Sequence, residues 1–246
     1  MESQAFAVFN YALITAIATG LGALPFAFAR SFPRTWLGIG NAIAAGLMLA
    51  ASFGLIYEGV GYSLARTLIG ALVGLVFIVW SHRFLERYED VGIGHLNGLD
   101  ARKALLIVGV MTLHSFAEGV GVGVSFGGGL AFGLFVTIAI AVHNIPEGLA
   151  ISLVLVPRGV PWWKAALWSV FSSLPQPLMA VPAFLFVEWF KPVLPAGLGF
   201  AAGAMIWMAF SELIPDALED ADAGAVASAI VLASIAMVAF QVLLGG

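Results

Sequence analysis

Between Lys103 and Arg158 this chain carries only two formally charged side chains, Glu118 and Glu147, and each stands four residues after a histidine: His114-Ser-Phe-Ala-Glu118 and His143-Asn-Ile-Pro-Glu147. Few folds accommodate two such pairs inside so long an apolar run. On a helix, positions i and i+4 share one face a turn apart, so each pair offers an imidazole nitrogen and a carboxylate oxygen to one point. Two such helices side by side would surround a divalent cation. No Lys or Arg lies within the later apolar segments to neutralise Glu118, Glu147 and Glu212, and an unpaired carboxylate in hydrocarbon is costly enough that ion or proton binding becomes the default reading. The plainer alternative is a packing histidine with a carboxylate bonded to backbone, and the repetition of the pair argues against it.

The run that holds these pairs is one of many. With 61% hydrophobic and 10% charged residues in 246, and about twenty residues per crossing, the chain reads as one all-α integral membrane domain over 1–246 with eight transmembrane helices. The expected spans are 5–29, 36–57, 62–81, 104–125, 130–156, 165–187, 192–214 and 225–244. The third is the weakest, its strongly apolar part being only 67–81. Outer-membrane strands would show alternating segments of about ten residues instead of these continuous runs. The N-terminus, Met1-Glu-Ser-Gln, lacks the basic start of a signal peptide, so the first run is expected as a retained helix,.

Spans four and five are separated only by Gly127-Gly-Gly129 and must form an antiparallel hairpin, which brings the two motifs to similar depth. Residues 82–103 are the longest polar segment and are expected as a loop. Loops on its side hold eight of the ten Lys and Arg residues, which places that side in the cytoplasm and both termini outside. Ala44-Ala-Gly-Leu-Met48 followed by Phe53 is echoed by Ala201-Ala-Gly-Ala-Met205 followed by Phe210, at a constant offset of 157. An inverted repeat of helices 1–3 and 6–8 around the 4–5 hairpin, a 3+2+3 arrangement, would produce that echo.

Pro146 lacks an N–H and leaves the Val142 carbonyl without its helical partner, a feature suited to lining a cavity or an ion site. Pro175 and Pro177 do the same for Phe171 and Ser173, where a packing kink explains them equally well. With no cysteine, a metal must be held by His, Glu, Met, Asn, hydroxyl or backbone groups. Gly123-Val-Ser-Phe-Gly127 has the letters of a nucleophile elbow without its strand-turn-helix context. Gly119, Gly123 and Gly127 read more simply as a close-packing stripe. Basic residues are scattered among loops, so nucleic-acid binding is not expected.

These residues resemble the ZIP (Zrt-, Irt-like protein) metal transporters, particularly their bacterial branch. His143-Asn-Ile-Pro-Glu-Gly148 matches that family's fifth-helix motif, His114-Ser-Phe-Ala-Glu-Gly119 its fourth-helix counterpart, and Ser211-Glu-Leu-Ile-Pro215 an element of its seventh helix. The resemblance implies uptake of divalent transition metal toward the cytoplasm, with the metal as substrate and no catalytic cofactor. It also implies a two-metal site between helices four and five, completed from helices two and seven. Residue by residue, Met48, His114, Glu118, His143, Asn144, Glu147 and Glu212 would supply it. Ser115 and Ala117 depart from the Asn and Pro that relatives often carry, and a hydroxyl in place of an amide carbonyl leaves open whether one or two metals bind. The 82–103 loop has only His82 and His95, so metal sensing is not expected there.

The expected partners are divalent metal ions, zinc first and then cadmium, iron or manganese, together with the lipid bilayer, here that of a bacterial inner membrane. Dimerisation stays open. Two rivals use the same residues: a membrane-embedded metalloenzyme, which would need an open coordination position and a substrate cleft, and a structural protein stapled by metal that does not exchange.

Overall fold

The computed structural model of the chain describes residues 2–28, 33–86, 92–93, 96–97, 99–127 and 129–245. Arg30, Arg87, Glu89, Asp90 and His95 lie outside the described residues, as do the side chains of Glu86, Asp100, Arg102, Lys103 and His143.

In hydrocarbon every backbone N–H and C=O must be bonded within the protein, and a helix achieves this segment by segment. Sequences that would make poor helices in water, such as Gly119-Val-Gly-Val-Gly-Val124, are accordingly helical here. The first helix, α1 (Glu2–Gly20), runs through a 3-10 turn at Leu21–Ala23 into the short α2 (Pro25–Phe28). Next comes α3 (Arg34–Glu86), then a two-residue antiparallel pairing of β1 (Gly92–Ile93) with β2 (Leu96–Asn97). The hairpin helices are α4 (Leu99–Gly127) and α5 (Leu130–Leu155). They are followed by α6 (Trp162–Ser173), α7 (Pro175–Leu185) and α8 (Val187–Phe190). The last long stretch is α9 (Leu194–Met208), one π-helical turn (Ala209–Leu213) and α10 (Ile214–Asp220), and α11 (Ala223–Gly245) closes the chain. Helices therefore enter the expected 82–103 loop from both ends, α3 to Glu86 and α4 from Leu99.

Six helical stretches among the described residues are long and apolar enough to cross a membrane. One of them is α3, whose 53 residues would span more than twice the about 30 Å of a hydrocarbon core. It breaks at Ser63, where φ −166° and ψ 107° are extended. These are the dihedrals of an N-cap, and the Ser63 hydroxyl faces the Arg66 amide, three residues on, at 3.5 Å,. Gly59 and Gly61 weaken the helix just before the break, where the sequence puts the boundary between its second and third spans. A second division falls at Leu174, because Pro175 starts α7 at a position where a missing N–H costs nothing,.

The helices pack in two sets: α1, α4, α5, α6 and α7 on one another, and α9, α10 and α11 on α3. Residues 67–74 of α3 run parallel to 196–203 of α9, with Gly70 and Gly74 against the carbonyls of Ala196 and Phe200, and Gly199 and Gly203 against those of Thr67 and Ala71. On α4 the stripe Gly119, Gly123, Gly127 meets Gln176, Ala180 and Val187. A Cβ at residue 123 would stand 2.2 Å from the Ala180 carbonyl oxygen, so the stripe serves close packing, as its spacing predicts,. Leu72 and Val76 of α3 and Leu232 and Ile235 of α11 are exposed, the lipid-facing pattern of a bundle in apolar solvent,.

The two echoed segments occupy matching environments. Met48 and Met205 are buried in the same apolar cluster, whereas Phe53 and Phe210 are 61% and 60% exposed. Asp222 caps α11, its Oδ2 accepting from the amides of Gly224 at 2.9 Å and Ala225 at 3.2 Å. Asp222→Ala is expected to cost about 1 kcal/mol, measured as a shift in the denaturant midpoint of the detergent-solubilised protein with metal binding unchanged.

Candidate metal centre

The hairpin brings the two predicted motifs together because His114 lies about 20 Å of helix before the α4–α5 turn and Asn144 about 21 Å after it. The turn itself uses Gly129 at φ 119°, a conformation open to glycine and strained for other residues,. In the resulting site His114 Nε2 lies 2.9 Å from Glu147 Oε1 and 3.3 Å from Glu118 Oε1. One donor atom from each of His114, Glu118 and Glu147 lies within 4.8 Å of the other two, and all three residues are buried. A tetrahedral zinc ion with bonds of about 2.0–2.2 Å keeps its ligand atoms about 3.3–3.6 Å apart, so small adjustments would let these three atoms share one ion.

Pro146 sits inside α5, which remains helical across the motif. The hexapeptide therefore does not interrupt the helix; its effect is limited to the Val142 carbonyl, which receives no amide from residue 146.

Asn144, a candidate from the resemblance alone, is fully buried beside this group. Its Nδ2 donates to the Thr15 carbonyl at 2.8 Å and to Gln176 Oε1 at 3.0 Å. Both its N–H bonds are thereby used, and its Oδ1 is left buried without a hydrogen-bond partner. A buried carbonyl oxygen without a partner calls for an explanation, and this one is free to bind a cation,. Ser115 Oγ, where an amide was expected from the family, is likewise buried without a partner.

Sequence reasoning did not reach Gln176. This residue is fully buried, donates from Nε2 to Glu118 Oε2 at 2.5 Å, and accepts at Oε1 from Asn144 and from the Thr15 hydroxyl at 2.5 Å. The Thr15 hydroxyl also lies 2.7 Å from the Ala12 carbonyl, so its single proton is shared between two acceptors. One signal was present: a glutamine between Pro175 and Pro177 in an otherwise apolar span. The α6–α7 break sets Gln176 in the first turn of α7, beside Gly119.

The helix α1 also went unread. Thr19 and Ser173 share a hydroxyl contact of 2.7 Å, and α1 approaches α5 so closely that a Cβ on Gly148 would stand 1.7 Å from the Thr19 carbonyl oxygen. The glycine that ends the hexapeptide is the place where two backbones touch.

The remaining candidates lie apart or at the edge. Met48 is 1% exposed within the apolar cluster that contains Met111 and Ile151, which are one turn from His114 and Glu147 on their helices. Glu212 falls in the π turn, with Oε1 3.4 Å from His82 Nε2 on α3, and is not part of the three-residue group. The His82 ring meets Trp207 edge-on, with centroids 5.2 Å apart. Glu212 thus stands within a π turn, a feature common at functional positions in helices,. His143 occupies α5 three residues before Pro146.

A family model described as ZIP Zinc transporter matches residues 82–242. An Arabidopsis thaliana protein whose name places it provisionally among zinc transporters is 51% identical over 236 residues, 95% of this chain and 38% of that protein. Zinc transporter GufA of Myxococcus xanthus is 33% identical over 217 residues, 83% of this chain and 85% of its own length. Zinc transporter ZIPB of Bordetella bronchiseptica is 34% identical over 214 residues, covering 81% of this chain and 69% of that protein. The similarity is not confined to bacterial members, since it includes a plant protein of which this chain spans little more than a third. With the buried His-Glu hairpin, the family match and two bacterial relatives covered over most of their length, the chain belongs to the ZIP zinc transporter family.

Proposed function

We propose that this chain moves divalent transition-metal cations, zinc foremost and also cadmium, iron or manganese, across a membrane toward the cytoplasm. The ion binds between α4 and α5 at His114, Glu118, His143, Asn144 and Glu147, with Met48 and Glu212 joining from neighbouring helices. The observation that carries this reading is the buried group of His114, Glu118 and Glu147 beside the partnerless Asn144 Oδ1. Two carboxylates match the two charges of the ion, which offsets the loss of its hydration shell. Imidazole, amide and thioether add neutral donors, a borderline set that favours zinc, cadmium or iron over magnesium or calcium. ZIP proteins are transporters and not enzymes, which removes the metalloenzyme reading.

Six long apolar helices become eight crossings when α3 counts twice, divided at Ser63, and α6 with α7 counts once. Eight of the ten Lys and Arg residues then face the cytoplasm and both termini lie outside,. Release inward follows when the central hairpin shifts relative to the helices around it.

The test is zinc influx into liposomes that hold the purified chain and a trapped fluorescent indicator. Saturable influx is expected, reduced by competing cadmium, iron or manganese. His143→Ala should lower it about tenfold or more, since even outer-shell partners of a metal site are worth that much. Tightly bound zinc that never exchanges, with no influx, would instead identify a structural staple.

A further inference from the structure

We propose that Gln176 is a positioning residue that fixes Glu118 and Asn144 together for cation binding, resting on the reading of His114, Glu118 and Glu147 as the cation site. The argument is an inventory of protons along a buried chain. The Thr15 backbone carbonyl can only accept, so the Asn144 group 2.8 Å from it must be the NH2,. That fixes the Asn144 amide and turns its Oδ1 away from α1. The second Asn144 N–H points at Gln176 from 3.0 Å, so the Gln176 atom there must be the oxygen. Its own NH2 is then the group 2.5 Å from Glu118 Oε2. Neither amide can flip without setting donor against donor or acceptor against acceptor, so the usual ambiguity of amide orientation is removed by the carbonyl at one end.

Two consequences follow at the site. Glu118 is held by Oε2, which leaves Oε1 directed at His114. Asn144 is held by its nitrogen, which leaves Oδ1 as an acceptor with no partner. One amide from α7 thus ties together a residue on each arm of the α4–α5 hairpin, orienting Glu118 directly and taking the second N–H of the Asn144 amide that the Thr15 carbonyl orients. The Thr15 hydroxyl, which divides its proton with the Ala12 carbonyl, is a minor contributor.

The test compares the full chain in detergent with Gln176→Met, which keeps the length and removes both hydrogen-bonding groups. Zinc affinity is read by competition with a chromophoric chelator. The expected result is a monodisperse protein with affinity weakened about ten- to hundredfold, as for other outer-shell partners of metal ligands. Asn144→Ala should cost less in the Gln176→Met background than in the parent, because Asn144 has there already lost one of the two contacts that hold its amide,. If Gln176→Met fails to fold, Gln176→Asn retains an amide but withdraws it by one methylene and is expected to weaken binding in the same direction. Thr15→Val is expected to change affinity less than threefold. Gln176 variants that bind zinc within about twofold of the parent, while Glu147→Ala does not bind, would overturn this inference and leave the site in place. If Glu147→Ala also bound zinc normally, the site reading itself would fall, and the positioning role with it.

Discussion

Replacing Glu147 by Ala is expected to reduce zinc uptake by at least about a hundredfold in proteoliposomes. The reason is charge balance. In the proposed site Glu118 and Glu147 would set two negative charges against a divalent ion, and all three residues of the described group are buried. Removing one would leave a net positive charge in a low-dielectric surrounding, and an uncompensated buried charge costs about 3–5 kcal/mol, or about two to nearly four orders of magnitude in binding. Glu147→Gln keeps the side-chain shape and should lose nearly as much, which separates loss of charge from loss of packing. Both variants should remain folded without metal, since each removes a carboxylate that the apoprotein holds at a cost. Uptake within a few fold of the parent for either variant would remove Glu147 from the site.

The second large effect concerns Gly148, and it reads out as stability. Any side chain there places an atom 1.7 Å from the Thr19 carbonyl oxygen and 3.4 Å from the Gly22 Cα. Both neighbours are backbone, so neither can swing aside as a side chain would. Gly148→Ala should therefore fall at the severe end of overpacking, about 3 kcal/mol, and lower the melting temperature by about 10 °C. Because the same approach of α1 to α5 brings the Thr15 carbonyl to Asn144 one turn earlier, zinc affinity should fall as well. The control is Gly121→Ala on α4, where an added Cβ meets nothing within 4 Å; there the change should be neutral or slightly stabilising. Equal melting temperatures for the two variants would show that α1 and α5 separate freely.

The histidine–glutamate turns were legible because their information is local. A spacing of four puts both side chains of each pair on one face, and the three glycines at 127–129 force the helices to pair,. Gln176 was not legible because its meaning lies in partners 58 and 32 residues away, and the role of Thr15 depends on a residue 129 positions distant. A polar residue in an apolar span announces that it needs a partner without saying which. The break at Ser63 could be approached from the glycines before it, whereas the π turn at Ala209–Leu213 left no comparable mark. That turn holds Glu212, whose contact with His82 spacing alone did not foresee. Met48 entered through the resemblance, and it is buried in one apolar cluster with Met205, its counterpart in the five-residue echo.

The break at Ser63 also has mechanical meaning. It is a single extended residue, so the two arms of α3 are joined with about 3.5 Å of slack,. One arm carries α11 through the contact of Ser234 with the Gly46 carbonyl at 3.0 Å, and the other carries α9 through the Thr67–Gly74 register. With so short a joint the arms cannot slide past each other by even one helical turn. A joint that short leaves mainly the angle between the arms to vary, so α3 with the two helices packed on it forms a bent bracket beside the α4–α5 hairpin.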